Sequence, residues 1–302
     1  GNCGALGVYS NECAEVFYAT IPANGGALSA WTTSGNPVPA ASRRAAATSY
    51  NGYIYYTGGN TTTGLANKVY YATAGNGANG AWSTNTNNMT ESLYLHAGHA
   101  YAGYIYVAGG YNGTINPLPV EYAQINANGS IGVFTNTSSM TGGRDGPSLF
   151  VHKGYLYVVG GYNGTPTYFS SIEYAVVNSD GTLGSFSTLP NGLSSGGRRL
   201  AGNGGVYNDR FYVAGGQITG GTIVNTSESI PINNGGSGIV DSWTDDIGGD
   251  FTTARGFHKT VAYNGYLYVI GGCSVINCST AGVQALDDVQ YSPINSDGSV
   301  GS

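Results

Sequence analysis

The sequence predicts an all-β protein built from one repeated unit, and three observations support this prediction. First, a phrase of the form Tyr-x-Tyr-x-x-Gly-Gly recurs every 51 to 56 residues, which indicates one structural unit stacked on itself. Second, the chain holds 51 Gly and 25 Tyr, residues typical of tight turns and half-buried strands respectively. Third, no segment carries helix signals. The Gly pairs that close the five copies are 58–59, 109–110, 160–161, 215–216 and 271–272.

Each full repeat contains four short strand signals. A small-residue or apolar stretch comes first, as in Ala45–Tyr50, and a turn such as Asn51-Gly52 joins it to the Tyr-x-Tyr segment. Asn-Gly predicts a hairpin because both residues tolerate positive φ. A variable loop, a third strand, another turn and a fourth strand with an aromatic residue follow. The third strands are predicted at Val16–Ile21, Val69–Ala72, Val120–Ile125, Ile172–Val177, Ile230–Ile232 and Val289–Ile294, and the aromatic residues are Trp31, Trp82, Phe134, Phe186 and Trp243.

Four antiparallel strands per repeat, at this period, match one blade of a β-propeller. A single blade of this kind cannot bury both of its faces, so blades stack around an axis. The tyrosines of the second strand and the aromatic residue of the fourth are expected to fill the layers between blades. The Gly pair is expected to let the backbone turn and approach its neighbour without a Cβ clash.

These residues resemble the kelch repeat, in which Gly-Gly closes the second strand, Tyr lies in the third and Trp in the fourth. An Arg before the first strand belongs to the same pattern. The likeness covers essentially the whole chain and is closest to kelch-like repeats of bacterial cell-surface proteins. It implies a propeller fold, and it leaves the function open because kelch propellers serve as enzymes, adhesins and adaptors.

The repeat boundaries predict a single domain over residues 1–302. It comprises a partial repeat at 1–42, full repeats at 43–93, 94–142, 143–196 and 197–254, and a partial repeat at 255–302. Third strands outnumber the other three kinds by one. A five-bladed ring with an overhang, a six-bladed ring whose terminal blade is shared by the chain ends or left incomplete, and a segment of a longer polypeptide all fit this count.

Composition narrows the possible partners. The net charge is −6, which gives no electrostatic reason to expect binding to nucleic acid. No apolar run approaches the length needed to span a bilayer. Eight Asn-x-Ser/Thr sequons are glycosylation candidates, several of them just after a Gly pair. They lie at Asn60, Asn88, Asn112, Asn128, Asn136, Asn163, Asn225 and Asn277.

The four cysteines form two local pairs, Cys3 with Cys13 and Cys273 with Cys278. Such pairs suggest loop disulfides in an oxidising environment, and crossed pairing between the two ends stays open. A zinc site is the weaker alternative, because no His stands at ligand spacing. Together with the sequons, the cysteines favour a secreted or cell-surface location.

Arginine placement is the sharpest functional signal. The chain has only ten Lys and Arg residues, and six of them stand just before first strands. The guanidinium fork suits a carboxylate or sulfate, so these residues are candidates for a ligand site at one mouth of the channel. The alternative is that they hydrogen-bond loop carbonyls and seal adjacent blades. The six are Arg43, Arg44, Arg144, Arg198, Arg199 and Arg255.

Two histidines, His96 and His258, occupy equivalent places thirteen residues before their Gly pairs and join this candidate site. Copper-radical oxidases also use a kelch-like propeller with two His, but they need a Cys cross-linked to a Tyr, and the cysteines here are predicted to pair in loops. We therefore predict neither metal nor cofactor. Asp245, Asp246 and Asp250 fit a calcium loop only loosely.

The sequence favours an extracellular binding or structural module without catalysis, which would recognise a protein or a glycan on a cell surface through its variable loops. Two alternatives stay open. One is a subunit that assembles with copies of itself into a filament or array through terminal strands. The other is a carbohydrate-active enzyme that uses the arginine-rich mouth.

Overall fold

Antiparallel four-stranded sheets dominate the computed structural model, which describes residues 13–75, 77–164, 167–194, 196–199, 204–232, 244–245, 250–275 and 285–301. We number the main sheets along the chain. Sheet 1 pairs Phe17–Tyr18 with Thr32–Thr33. Sheet 2 orders its strands as Ala46–Tyr50, Tyr53–Thr57, Val69–Thr73 and Ser83–Thr84. Sheet 3 consists of Tyr94–Tyr101, Tyr104–Tyr111, Pro119–Gln124 and Thr135–Ser139.

The remaining main sheets repeat this order. Sheet 4 consists of Ser148–His152, Tyr155–Val159, Ile172–Val176 and Ser187–Thr188. Sheet 5 consists of Gly205–Tyr207, Arg210–Ala214, Ser227–Pro231 and Thr244–Asp245. Sheet 6 has three strands among the described residues, Lys259–Tyr263, Tyr266–Ile270 and Val289–Pro293. This architecture confirms the predicted all-β propeller of four-stranded antiparallel blades, while the blade count stays a prediction.

Strands of only two residues form additional pairs at one end of the sheets. Ser42–Arg43 pairs with Asn60–Thr61, which in turn pairs with Gly64–Leu65. Arg198–Arg199 pairs with Gln217–Ile218. Helical structure among the described residues is limited to one 3-10 turn at Thr219–Gly221, in keeping with the absence of helix signals.

Two of the strand predictions need correction. The third strand of sheet 5 is Ser227–Pro231, three residues before the predicted Ile230–Ile232, because the polar run Ser227-Glu228-Ser229 is buried between sheets and pairs with the second strand. The fourth strands begin one residue after the aromatic residue that was predicted to lie within them, as Phe186 followed by Ser187–Thr188 illustrates.

The Gly pair works as predicted. Both residues of each pair adopt positive φ, for example 60° at Gly58 and 97° at Gly59. A Cβ on Gly58 would lie 2.7 Å from Cε1 of His96 in the next sheet. A side chain at this position would therefore force neighbouring sheets apart.

The core lies between sheets and recurs as one pattern. At the junction of sheets 3 and 4, buried Tyr106, Met140, Leu156 and Leu183 belong to a single cluster, against which Phe186 packs. The Tyr106 hydroxyl donates to the Gly181 carbonyl, in the turn before the fourth strand of sheet 4, at 2.9 Å. Second-strand tyrosines thus fill the layers between sheets, as the sequence predicts, and Phe134 and Phe186 do so among the aromatic residues. The prediction is wrong for Trp31, which is 44% exposed, and Trp243 lies outside the described residues.

The two ends of the chain meet through the same pattern. The Gly26 N–H donates to the Tyr268 hydroxyl at 3.1 Å, and the Asn264 side-chain amide donates to the Ala23 carbonyl at 2.5 Å. On its other side, sheet 1 connects to sheet 2 through paired hydrogen bonds between Asn36 and Asn79, at 2.8 and 2.9 Å. Sheet 1 therefore lies between sheets 6 and 2 and closes the ring.

Candidate functional site

Arg144 is fully buried, and its guanidinium is engaged on every side. Nε donates to the Gly142 carbonyl at 3.0 Å, and Nη1 donates to the Gly160 carbonyl at 3.0 Å. Nη2 donates to the carboxylate of Glu173, and the group lies 4.1 Å from the ring centre of Phe169. Bonds inside the protein account for this arginine, and its ligand-binding role stays a prediction.

Arg255 repeats this arrangement in sheet 6. It is also fully buried, and Nη1 donates to the Gly271 carbonyl at 3.0 Å. The guanidinium holds Asp288 in a two-point contact, with distances of 2.7 and 2.9 Å. This hydrogen bonding holds the pKa of the Asp288 carboxyl below its usual value. Arg144 and Arg255 thus hydrogen-bond loop carbonyls, as the alternative expects, while their predicted role in sealing adjacent blades stays a prediction.

Arg44 is placed differently, at the start of the first strand of sheet 2. It shares a left-handed backbone conformation with Leu95, Gly146 and Phe257, which stand at the same place in sheets 3, 4 and 6. We call these four residues the left-handed positions. The Leu95 N–H donates to the Arg44 carbonyl at 2.8 Å, and the Gly146 N–H donates to the Leu95 carbonyl at 2.7 Å. Main-chain bonds thus link successive sheets at this end.

The Arg44 guanidinium carbon lies 5.6 Å from the ring centres of both Tyr94 and Phe257. Since Phe257 precedes the first strand of sheet 6, this cation–π contact joins the segments that enter sheets 2 and 6. Arg43 lies in the adjacent short strand, paired with Asn60. The backbones of Arg198 and Arg199 pair with Ile218 and Gln217, and their side chains lie outside the described part of the structure.

His96 and His258 occupy equivalent buried positions, as their spacing predicts. His96 Nε2 lies 2.9 Å from the Thr57 hydroxyl, and His258 Nε2 lies 2.8 Å from the Ala214 carbonyl. Burial lowers the pKa of His96 to about 4 and that of His258 to about 3. Both imidazoles are therefore neutral at physiological pH, and both bond to the preceding sheet.

Buried carboxylates of the third strands form a pattern that sequence reasoning missed. Glu121 accepts hydrogen bonds from the N–H groups of Thr90 at 2.7 Å and Glu91 at 3.1 Å. Glu173 accepts from the Thr141 N–H at 2.6 Å, and Glu228 from the Ser194 N–H at 3.0 Å. Each glutamate thus anchors the segment of chain that leads from the preceding sheet into the glutamate's own sheet. The sequence signal for this pattern is a glutamate at an equivalent position in the third strands of sheets 3, 4 and 5.

The loops that follow the Gly pairs form a second candidate site. In the loop after Gly110, the Asn112 side-chain oxygen accepts from the N–H groups of Thr114 at 3.0 Å and Ile115 at 2.9 Å. The Tyr111 hydroxyl donates to the Gly113 carbonyl at 2.9 Å. These bonds fix the loop, yet Ile115 is 59% exposed and Leu118 is 43% exposed. We call residues 111–118 the Ile115 loop.

A neighbouring loop repeats this construction. The Tyr162 hydroxyl donates to the Gly164 carbonyl at 2.7 Å, as Tyr111 does to Gly113. Tyr162 also packs on Tyr168, with ring centres 4.6 Å apart. On the other side, a Cβ on Gly113 would lie 3.6 Å from Leu65 of the preceding sheet's hairpin. The Ile115 loop therefore adjoins the short hairpin of the preceding sheet.

The predicted glycosylation sites differ in their exposure to solvent. Asn128, Asn136 and Asn163 are exposed. The Asn225 side-chain amide donates to the Phe251 carbonyl at 2.9 Å, and that of Asn112 donates to Glu91 at 3.2 Å. Asn60 and Asn88 are half-buried, and Asn277 lies outside the described residues.

The cysteine predictions fall partly outside the described residues. Neither described cysteine, Cys13 or Cys273, is a free thiol. Cys3 and Cys278 lie outside those residues, so the predicted pairing stays a prediction. The acidic loop after Asp245 is also partly outside them. Within the described ranges, no group of three or more His, Cys, Asp or Glu side chains could hold a metal ion, and no helix is long and apolar enough to cross a bilayer.

Comparison with known proteins agrees with this geometry. The Kelch motif family model matches residues 143–174 and 254–291, which hold Arg144 and Arg255, the first two strands of sheets 4 and 6 and the start of their third strands. No curated protein matches the sequence. The solved structure of YjhT is similar over 97% of this chain and 98% of its own, with a TM-score of 0.69 and 14% sequence identity. At this identity the likeness concerns the fold alone.

Proposed function

Because this chain is a kelch-repeat β-propeller, we propose that it acts as a binding module whose loop face recognises a partner outside the cell, without catalysis. Kelch propellers commonly mediate protein binding, so a protein is the first partner class to test and a cell-surface glycan the second. The observation that carries the proposal is the Ile115 loop. Its backbone is held by side-chain hydrogen bonds while its apolar side chains face solvent.

Rigid loops with exposed apolar side chains suit recognition for a physical reason. A loop that is already ordered loses little conformational freedom when it binds, so more of the contact energy appears as affinity. Ile115 and Leu118 supply apolar contact area, and Tyr111 lies beside them in the same loop. Tyr, Asn and Gly in the adjoining loops add contacts of the kind that binding loops use.

The proposal predicts the effect of one substitution on this loop. Ile115→Asp places a charge where apolar contact is expected and should weaken binding at least about tenfold. We would screen wild type on arrays of extracellular protein domains and of glycans, then measure affinities for each hit. Val133→Asp is the matched control, because Val133 is 73% exposed and lies just before the fourth strand of sheet 3.

Binding that survives Ile115→Asp, or that Val133→Asp weakens equally, would refute a role for the loop face. Hits confined to the glycan array would assign the partner to carbohydrates. Turnover of an arrayed glycan would overturn the non-catalytic assignment.

The extracellular location is supported by the predicted disulfides of Cys13 and Cys273, neither of which is a free thiol, and by the exposed sequons at Asn128, Asn136 and Asn163. Protease added to intact source cells should remove the protein if it lies on their surface. Complete protection, or alkylation of Cys13 or Cys273 without a reductant, would contradict this location.

A further inference from the structure

Glu91 is an exposed acidic residue at the edge of the Ile115 loop, the loop that carries the proposed function. Its carboxylate accepts a hydrogen bond from the Asn112 side-chain amide at 3.2 Å. The oxygen of the same amide accepts a hydrogen bond from the Ile115 N–H at 2.9 Å. One asparagine therefore ties the carboxylate of Glu91 to the backbone of Ile115.

The backbone of Glu91 is held as well. Its N–H donates to the buried carboxylate of Glu121 at 3.1 Å, beside the bond that Thr90 donates at 2.7 Å. Both the main chain and the side chain of Glu91 are therefore fixed before any partner arrives. Little further ordering is needed for Glu91 to contact a partner, so more of the contact energy appears as affinity.

Sheet 4 shows what this end of sheet 3 lacks. There Arg144 pairs with Glu173, which stands at the same place in its third strand as Glu121 does in sheet 3. The carbonyls of Arg144 and Leu93 each accept a hydrogen bond from the second glycine of the preceding Gly pair, so the two residues occupy equivalent positions. Sheet 3 thus has a leucine where sheet 4 has its arginine.

This replacement leaves the acidic groups of sheet 3 without a cation. None of the described Lys, Arg or His side chains forms an ion pair with Glu91 or Glu121. Burial raises the pKa of the Glu121 carboxyl, and the negative charge of Glu91 raises it further. A cationic group placed beside Glu91 would therefore be attracted without having to displace a described cation.

Apolar side chains stand beside this charge. Ile115 is 59% exposed and Leu118 is 43% exposed, so a partner of the loop meets an apolar surface and a carboxylate together. Charges at the rim of an interface set specificity and the association rate, while apolar groups at its centre supply most of the affinity. A peptide segment with a basic residue next to a large apolar residue fits this arrangement.

We propose that the partner of the Ile115 loop is a protein whose docking segment pairs a lysine or arginine with Glu91 and covers Ile115 with an adjacent apolar side chain. This inference rests on the proposed function. It adds the chemistry of the partner, and it assigns to Glu91 the selection of a basic residue.

A phage-displayed library of random dodecapeptides provides the probe. Selection on wild type should enrich peptides in which Lys or Arg adjoins a large apolar residue. Selection on Glu91→Gln should retain the apolar residue and lose the preference for Lys and Arg. The glutamine can still accept the bond from Asn112, so the melting temperature should stay unchanged. Glu15→Gln is the matched control, because it removes another exposed carboxylate and should leave the selected sequences unaltered.

The binding kinetics of one selected peptide give a second readout. Glu91→Gln should lower the association rate constant about threefold or more at low salt, as expected for the loss of a rim charge. The difference should vanish near about 1 M salt, which screens exposed charges over a few ångströms. Ile115→Asp should act chiefly by raising the dissociation rate, since it removes apolar contact.

The outcomes separate this inference from the proposed function. Peptides that require Ile115 but show no preference for Lys or Arg would overturn the inference and leave the proposed function standing. Association rates that Glu91→Gln and Glu15→Gln lower equally would do the same. Peptides that bind Ile115→Asp as tightly as wild type would overturn the proposed function, and this inference with it.

Discussion

At the residue scale, the arginines show how far a sequence signal reaches. Their positions before the first strands were visible in the sequence, and both possible roles followed from the chemistry of the guanidinium group. The sequence could not decide between them, because Arg144 meets Glu173 and Gly160 only after the sheet has formed. Burial of the whole group then leaves the carbonyls and the carboxylate as its partners.

Replacing Arg144 should therefore cost stability. Arg144→Met leaves the buried Glu173 carboxylate without its cation and should lower the free energy of unfolding by about 3 kcal/mol or more. Lys153→Met is the control, because Lys153 and Asp209 form an exposed pair at 2.6 Å whose loss should cost less than about 1 kcal/mol. Equal losses in urea denaturation of the two variants would contradict this assignment.

Glu121 predicts a pH dependence. Burial raises the pKa of its carboxyl above the usual 4.5, so the folded state binds the proton more tightly than the unfolded state. Its contribution to stability is therefore fully present below pH 4.5 and is lost as pH rises through the raised pKa. Wild type should gain melting temperature relative to Glu121→Gln between about pH 8 and about pH 4.

Glu15→Gln provides the control for this measurement, since Glu15 is exposed. The difference between wild type and this control variant should vary much less with pH. If the Glu121→Gln difference also stayed constant across the range, burial of the carboxylate would have no energetic consequence and the interpretation would fail.

At the element scale, local turn chemistry made the hairpins predictable. Asn51-Gly52 and Asn264-Gly265 both adopt positive φ at both residues, as Asn-Gly predicts. Sheets 3 and 4 use the same turn with Ala102-Gly103 and Lys153-Gly154, which carry only half of the signal. The third strand of sheet 5 was predicted to begin three residues too late, because its buried polar residues are stabilised by partners far away in sequence, such as Ser194 for Glu228.

Two glycines separate the effect of backbone conformation from that of close packing. Gly103→Ala meets no atom within 4 Å and should cost only the strain of positive φ, about 1–2 kcal/mol. Gly109→Ala has the same strain but places its Cβ 2.5 Å from the Arg144 carbonyl oxygen. We expect a further loss of about 2 kcal/mol in chemical denaturation. Equal costs would show that the sheets can separate freely at this point.

At the scale of the whole molecule, ring closure was beyond the reach of the sequence. The repeat count left several closures open, because the contacts that join the ends involve residues 241 and 242 positions apart. Such contacts have no local signature. Once the structure places sheet 1 beside sheet 6, the Gly26–Tyr268 bond is recognisable as a counterpart of the Tyr106–Gly181 contact between sheets 3 and 4.

This closure can be tested by hydrogen exchange. Tyr268→Phe combined with Asn264→Gly removes both hydrogen bonds to the N-terminal turn while the glycine preserves positive φ. At about 1 kcal/mol per bond, amides of residues 16–34 should exchange roughly tenfold faster or more. Tyr106→Phe is the matched control and should leave residues 16–34 unaffected. Unchanged exchange in the double variant would mean that other contacts hold the ends together.

The left-handed positions have a consequence for how this protein can change over time. Within a single molecule, one backbone site carries Arg44, Leu95, Gly146 and Phe257, whose side chains range from a cation to a hydrogen atom. Main-chain hydrogen bonds link sheets 2, 3 and 4 there, although the three positions carry a cationic side chain, an apolar side chain and no side chain. At each of these four positions a single substitution would therefore change the chemistry of one repeat while the backbone stays the same. A new binding specificity could arise in this way without a change of fold.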